Sequence, residues 1–596
     1  MSVIDRRTKL KARRVLRKQK RHVEAATAQA DDSFEKLILR RFSRLIYVKR
    51  FVGLWVAFAL MLIFGALWQV RTLDKFYLTT AAVDGGVYRE GILGTFTNSN
   101  PMFATSSVDS AVSRLIYSGL YQVSPNGDLV NDLANGIEID EQGKEYVVSL
   151  RQDVKWQDGE QFDANDVLFT YNSIKDPDVK SPLLASWQGV KVTKVDDYTV
   201  KFELPNALSS FQSALINGIV PQHILAKQDP EDLRSSSFNT VNPVGTGLFT
   251  LRTLEVVGLE IDTRQERIAL NRYDDYHGRV AGLDGVIIRS YRTTDSMQKD
   301  FEERVIQSMV GLTSVPEEVL ERPGTELVTA PLTSSVMVFM NSSNPALSDV
   351  KVRRALLQST DVKEIRRGLG FRAVPTDSPF LRSQFAYNPA IVQHPFDIEA
   401  AKALLTEAGW VANEDGKLAK DGNELKLRLV SQSLSEYATI AQKLQSDWSD
   451  LGIGIEAILQ PEEDIQSGAI ARHEYDILLY GISLGHDPDV FAYWHSSQAG
   501  EGARSRLNLS EYKSEVADEA LEAGRTRVDE DLRTIKYEPF ITAWRDDVPA
   551  IALYQPRFLM VVQGTFEGFE RGQLSTATDR YWSIANWRVR NAQVAK

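Results

Sequence analysis

Residues Phe51–Val70 read FVGLWVAFALMLIFGALWQV, a run of twenty with no charged side chain and one Gln. As a helix rising about 1.5 Å per residue, it covers the roughly 30 Å hydrocarbon core of a bilayer. Lys49-Arg50 before it and Arg71 after it mark the two interfaces. Such a run divides the chain into a segment before the span, the span, and a segment after it.

The flanks differ in charge. Residues 1–50 hold 16 Lys and Arg against 5 Asp and Glu, and the whole chain is −11, so the rest carries −22. Basic flanks stay on the cytoplasmic side, which puts the tail inside and the acidic remainder outside the cell membrane. The apolar run is longer than the about 7–15 residues of a cleaved signal peptide. An uncleaved single-pass anchor is expected, with Thr79-Thr80-Ala81-Ala82 as the small-residue stretch where cleavage would fall. The tail's KLKARRVLRKQKRH suits an anionic membrane surface. Phe34, Leu37, Ile38, Phe42 and Leu45 recur at helical spacing, as in a helix lying on the inner leaflet or docking on a protein. No nucleic-acid partner is expected.

The chain has no cysteine. That excludes disulfides, iron–sulfur clusters, thiolate zinc sites, a cysteine nucleophile and a lipid-modified N-terminal cysteine. Beyond the span, strands and helices alternate. ELKLRLV, from Glu424 to Val430, alternates polar and apolar like a half-buried strand. SEYATIAQKLQSDWSDLG then places Ile440, Leu444, Trp448 and Leu451 on one helical face, and IEAILQ follows as a strand. This β-α-β order predicts a parallel pair. DIEAAKALLTEAGW is a capped helix from Asp397 to Gly409, Ser510–Trp544 reads as two helices, and VPAIALYQP as a buried strand. The class is mixed α/β, in more than one lobe.

LRQDVKWQDGEQFDANDVLFTY, Leu150 to Tyr171, carries five acidic residues around a glycine. A calcium loop needs oxygen ligands at alternate positions. Asp153, Asp158, Asp163 and Asp166 lie five, five and three apart, which does not fit. The stretch reads better as a strand, an Asp158-Gly159 turn, and a helix capped by Asp163 with Asp166 in its first turn. No G-x-S-x-G, H-E-x-x-H, C-x-x-C or Walker A motif is present, and the two G-x-G pairs lack a third glycine. The chain is expected not to be an enzyme and to need no cofactor.

The same stretch closely resembles the signature of bacterial extracellular solute-binding proteins of family 5, the oligopeptide-, dipeptide- and nickel-binding components of ABC importers. Six further segments match in order: LIYSGLYQVSPNGDLVNDLANGIEI, NPVGTGLFTL, FMNSSNPALSDVKVRRALLQSTDVKEI, NPAIVQHPFDIEAAKALLTEAGW, GISLGHDPDVFAYWHSSQ and DDVPAIALYQPRFLMVV.

The resemblance implies a two-lobed, type II periplasmic-binding-protein-like fold with an extra small domain, closing by a hinge over a ligand that is passed to ABC permease subunits. Carried onto this chain, it gives a tail 1–50, anchor 51–70 and linker 71–85. The first lobe takes 86–125, 191–331 and 556–596, the small inserted domain 126–190, and the second lobe 332–555. Ligand-facing candidates implied by matched loops are Thr97, Asn98 and Asn100 on one side. On the other are Tyr480, Ser483, Leu484, His486 and Trp494, with Asp487 structural in its Asp-Pro turn. Peptide-binding relatives place an aspartate for the peptide's α-amino group where this chain has Leu484, and an aromatic where it has Gly481. The departure opens the ligand to sugars, modified peptides and cell-wall fragments. Two alternatives are a ligand-sensing surface receptor and a metal- or haem-binding member, the latter holding a divalent ion with His486, His495, Asp487 and Asp489.

Overall fold

A computed structural model describes residues 49–258, 264–500 and 507–595. The basic tail before residue 49, with its Phe34–Leu45 pattern, lies outside the described residues. The described residues form two compact units, one of 49–81 with 591–595, the other Ala82–Arg590.

In the first unit a single helix runs Lys49–Tyr77. Phe51, Leu54, Trp55, Phe64 and Trp68 are all exposed on it, so its apolar surface is not buried in a protein core. It is long and apolar enough to cross a membrane. The helix continues past residue 70, into the stretch expected to be a linker. The strand Leu78–Val83 follows and pairs with Arg590–Ala595. Gln593 Nε2 donates to Thr80 Oγ1 at 2.9 Å across this pair.

The second unit is organised by one strand. Ala550–Gln563 is 14 residues long and fully engaged along its length. Its first half pairs antiparallel with Ser334–Met340, and its second half with Thr325–Pro331 and Ser308–Val310. On the Ser308–Val310 side the sheet continues through Val87–Leu93, Gly285–Tyr291, Gln265–Arg272 and Phe249–Val257. On the other side it continues through Ile477–Ser483, Lys426–Gln432 and Gly454–Gln460. The last three are mutually parallel, and the helix Ser435–Ser449 joins Lys426–Gln432 to Gly454–Gln460, the β-α-β unit anticipated from the sequence.

Apolar burial follows the same division. One core gathers Tyr88, Leu115, Trp156, Phe202, Ile288, Met560 and Trp587. Two others draw on residues 336–554, one around Leu356, Leu429 and Trp448 and one around Phe339, Trp494 and Trp544. The chain passes between these regions in adjacent antiparallel strands, Thr325–Met340 outward and Ala550–Gln563 back.

A smaller antiparallel sheet orders Ala134–Ile139, Glu145–Leu150, Thr199–Glu203 and Lys191–Asp196. Two of its strands lie past residue 190, because Glu145–Ser149 finds its ladder partners at Thr199–Glu203. The Leu150–Tyr171 stretch packs beside this sheet. Gly159 takes φ +94°, and the helix Ala164–Lys175 starts at Asp163, whose carboxylate accepts from Asn165 N at 2.7 Å. Asp166 accepts from Asp163 N at 3.1 Å, Trp156 Nε1 at 3.1 Å and Gln222 N at 2.9 Å. Burial raises the Asp166 pKa against these donors.

Two matched motifs have structural explanations. In NPVGTGLFTL, a Cβ on Gly245 would lie 1.9 Å from the Ile116 carbonyl oxygen, so only glycine fits. In the VRRAL segment, buried Arg353 donates from Nε to the Asp547 carbonyl at 2.9 Å and from Nη1 to the Leu347 carbonyl at 2.7 Å. It thereby satisfies the C-terminus of the helix Glu530–Asp547, whose cap Val548 takes φ +48°.

Candidate ligand cleft

The loop after Ile477–Ser483 is built around two aspartates that flank Pro488. Asp487 is held by Arg533 through two bonds, Nη1 to Oδ2 at 2.7 Å and Nη2 to Oδ1 at 2.6 Å. Arg533 also lies 5.0 Å over the Phe385 ring. Burial works against its charge, but the bonds and charge of Asp487 more than offset this and raise its pKa. Asp489 is held by Arg525 Nη2 at 3.1 Å and caps Phe491 N at 3.3 Å. The Arg525 guanidinium rests 4.0 Å over the Phe491 ring. The same Asp489 oxygen accepts from Ser210 Oγ at 3.1 Å, a residue of the other core region.

His486 sits between these anchors. Its Nδ1 lies 2.9 Å from where a Cβ on Gly127 would be, so glycine there admits the ring. Its Nε2 is buried without a hydrogen-bond partner. Burial pushes its pKa down, with Asp579 and Asp128 acting the other way. Around it is a cavity of about 360 Å³ lined from one side by Gly127, Asp128 and Gln212, and from the other by Phe385, His486 and Arg533. A second cavity of about 490 Å³ opens nearby, between Leu204–Phe211 and Phe491, Arg525. Both volumes fall in the range of small-molecule sites.

The other candidates divide. Tyr480 is half-buried, and its hydroxyl accepts from Gln466 Nε2. Ser483 is exposed, and its carbonyl accepts from Tyr493 OH at 2.7 Å. Leu484 and Trp494 are instead core residues, 5% and 0% exposed. Leu484 N donates to the Thr333 carbonyl at 2.8 Å, and Trp494 stacks on Phe339 with centroids 5.8 Å apart. In this conformation neither presents a side chain to a ligand. Thr97, Asn98 and Asn100 are tied to neighbouring segments of the first lobe. Thr97 donates to Asp109 from N and Oγ1, both at 2.7 Å, Asn98 N adds a bond at 3.1 Å, and buried Asn100 donates to Asn239 Oδ1 at 3.1 Å.

The His486, Asp487, Asp489 and His495 set does not assemble. Its aspartates are taken by arginines, and His495 Nε2 faces Glu522 at 3.3 Å. Among the described residues no three His, Asp or Glu side chains are placed to hold a metal ion.

Sequence reading missed Arg525, Arg533 and Ser210. For Arg533 a signal existed: it shares a helical face with Tyr537, Phe540, Ile541 and Trp544, and an arginine on a buried face requires a partner. A third cluster also went unread, at the carboxyl ends of the parallel strands, where open α/β sheets bind ligands. There Glu436 accepts from Tyr554 OH and lies 3.5 Å from Arg372 Nη1, and Tyr437 OH fills the space over Gly481.

Two core regions joined by crossing strands, with cavities between them, define a two-lobed solute-binding protein. The chain belongs to the bacterial extracellular solute-binding proteins, family 5, whose model matches residues 128–503. It is similar to the oligopeptide-binding protein AppA of Bacillus subtilis, 26% identical over 82% of this chain and 89% of that one. It is also similar to the dipeptide-binding protein of Escherichia coli, 23% identical over 79% and 89%. Among solved structures, NikZ of Campylobacter jejuni in complex with Ni(L-His) matches with TM-score 0.70 at 25% identity, over 84% of this chain and 99% of that one. AppA of Bacillus subtilis in complex with a nonapeptide matches with TM-score 0.68 at 25% identity, over 86% and 100%. The fold is that of the periplasmic binding proteins, and the protein is a solute-binding protein of the ABC-importer type, not an enzyme.

Proposed function

We propose that this protein is a membrane-anchored extracellular component of an ABC importer that captures a peptide-like solute between its lobes and delivers it to permease subunits. The observation that carries this is the strand Ala550–Gln563, which ladders into both core regions while residues of both line the cavity at His486. That arrangement suits hinge closure over a solute. With the small domain running from 126 to about 204 to include its whole sheet, the lobes are 86–125, about 205–331 and 556–596 on one side and 332–555 on the other. The helix Lys49–Tyr77 serves as the anchor, with the basic tail in the cytoplasm.

His486, Tyr480 and Ser483 form the second-lobe side of the site, and the Thr97–Asn100 loop the first-lobe side. A peptide-like solute is favoured by the relatives that carry oligopeptide and dipeptide names. Leu484 lies in a core, so an ammonium group must be met by a different acid. Asp128 and Glu530, both exposed beside the cavity, are the nearest in kind.

The test is a thermal-shift screen of the full chain in detergent against pools of peptides, sugars and nickel–histidine. A solute at a hundred times its dissociation constant adds about 2.7 kcal/mol. A shift with peptides that His486→Ala abolishes supports the reading. A shift with sugars or nickel–histidine and none with peptides overturns the peptide assignment. Anchoring is tested separately: a chain that leaves membranes in alkaline carbonate is not held by the helix.

A further inference from the structure

Ser210 belongs to a short helical segment, Ser209–Ile216, whose buried Phe211 packs on Tyr146, Trp187 and Phe202 of the small domain and whose Leu215 carbonyl accepts from Leu120 N of the first lobe at 3.1 Å. The preceding Leu208 carbonyl accepts from Tyr146 OH at 2.9 Å. Opposite, Asp489 is set by its own lobe, since Arg525 and the Phe491 amide fix both its oxygens before anything arrives from across the cleft. Its side chain is 11% exposed. Among the described residues, away from the crossing strands and the Leu332–Thr333 junction, Ser210 Oγ to Asp489 Oδ2 is the hydrogen bond that joins the two lobes. The segment also stands between the two interlobe cavities. Ser209, Gln212 and Asp487 line one, and Leu208, Phe211 and Phe491 line the other.

We propose that this bond is the closure latch of the interlobe cleft, with Ser210 as the positioning residue and Arg525 holding Asp489 ready to receive it. The proposal rests on the reading of the two core regions as lobes that close over a solute. A hydroxyl donating to a carboxylate is a charge-assisted bond, stronger than a neutral one. It differs from an arginine–carboxylate pair across the same gap in one useful respect: on opening, water replaces the serine hydroxyl and Asp489 keeps its Arg525 partner. No buried charge is stranded in the open state. The latch therefore biases closure without locking it, as repeated capture and release require.

The absence of cysteine makes the test clean. Asp178→Cys and Glu515→Cys, both at exposed positions, take spin labels at those two sites alone, and double electron–electron resonance reads the separation in the full chain without solute. Ser210→Ala is expected to shift the closed-to-open ratio about tenfold toward longer separations. Ser210→Thr, which keeps the hydroxyl, is expected to restore the short separation. A role confined to folding would lower the melting temperature of Ser210→Ala and leave the distance distribution in place, and that result overturns the latch. So does failure of Ser210→Thr to restore it. Because no solute is present, failure of the latch leaves the capture reading standing, and failure of the solute screen leaves the latch standing.

Discussion

Leu150–Tyr171 and Gly481–Trp494 are both acidic, aromatic stretches, and their side chains are employed in opposite ways. In the first, three aspartates find partners close along the chain: Arg151 holds Asp153, Asp163 caps its own helix, and Trp156 Nε1 bonds Asp166 ten residues on. In the second, partners come from afar. Asp487 meets Arg533, 46 residues on, and Asp489 meets Arg525, 36 residues on, and Ser210, 279 residues back. Local bonding makes a side chain's role readable from its neighbours. Distant bonding leaves the role open until the fold chooses among many candidates.

The largest expected effect tests whether the two stretches are equally structural at their tryptophans. Trp156 and Trp494 are both fully buried. Replacement of either by Ala is expected to cost about 3–5 kcal/mol in denaturant unfolding. A Trp494→Ala protein of normal stability with weakened solute binding would put Trp494 in the site and erase the contrast. Replacement by Phe separates them. Trp156→Phe strips a donor from Asp166, whereas the Trp494 Nε1 has no acceptor to lose. Next in size is Arg533→Met, which leaves Asp487 without its buried partner and is expected to cost about 3 kcal/mol. Adding Asp487→Asn should return much of that. Full additivity in this cycle would mean the pair is not coupled.

The same difference explains what was legible beforehand. The membrane-length helix, the β-α-β unit, the Asp397 and Asp163 caps and the strand–turn–helix of the signature all rest on spacing within one segment, and they stand in the structure as read. The linker expected after the span did not, because Leu78–Val83 becomes a strand only when Arg590–Ala595 arrives to pair with it. The small-domain boundary at 190 cut a sheet for the same reason. In the cleft, the loop chosen by sequence matching borders a cavity through His486, yet within it Leu484 and Trp494 turn inward. Side-chain direction there depends on where Thr333, Phe339 and Trp544 lie.

A smaller effect probes the local side. Asp163→Ala removes a helix cap and is expected to cost about 1 kcal/mol, while Asp163→Ser recovers most of it. No change in solute binding should accompany either, since the stretch has no part in the cleft.

The smallest expected effect belongs to His486 and is a slope with pH. Burial holds its folded pKa below the ordinary value, so the unfolded chain takes up the proton first. Its contribution to stability is then complete above about pH 6.5 and is lost as the pH falls below that toward the folded pKa. His486→Gln should flatten the decline in melting temperature between pH 7.5 and 5.0, leaving a residual slope from His394, whose pKa burial also lowers. A steeper decline in His486→Gln would mean that Asp128 and Asp579 outweigh burial and that the ring is protonated in the cleft. That outcome would turn His486 from a neutral hydrogen-bonding group into a cation, and with it the charge of any solute the cleft accepts.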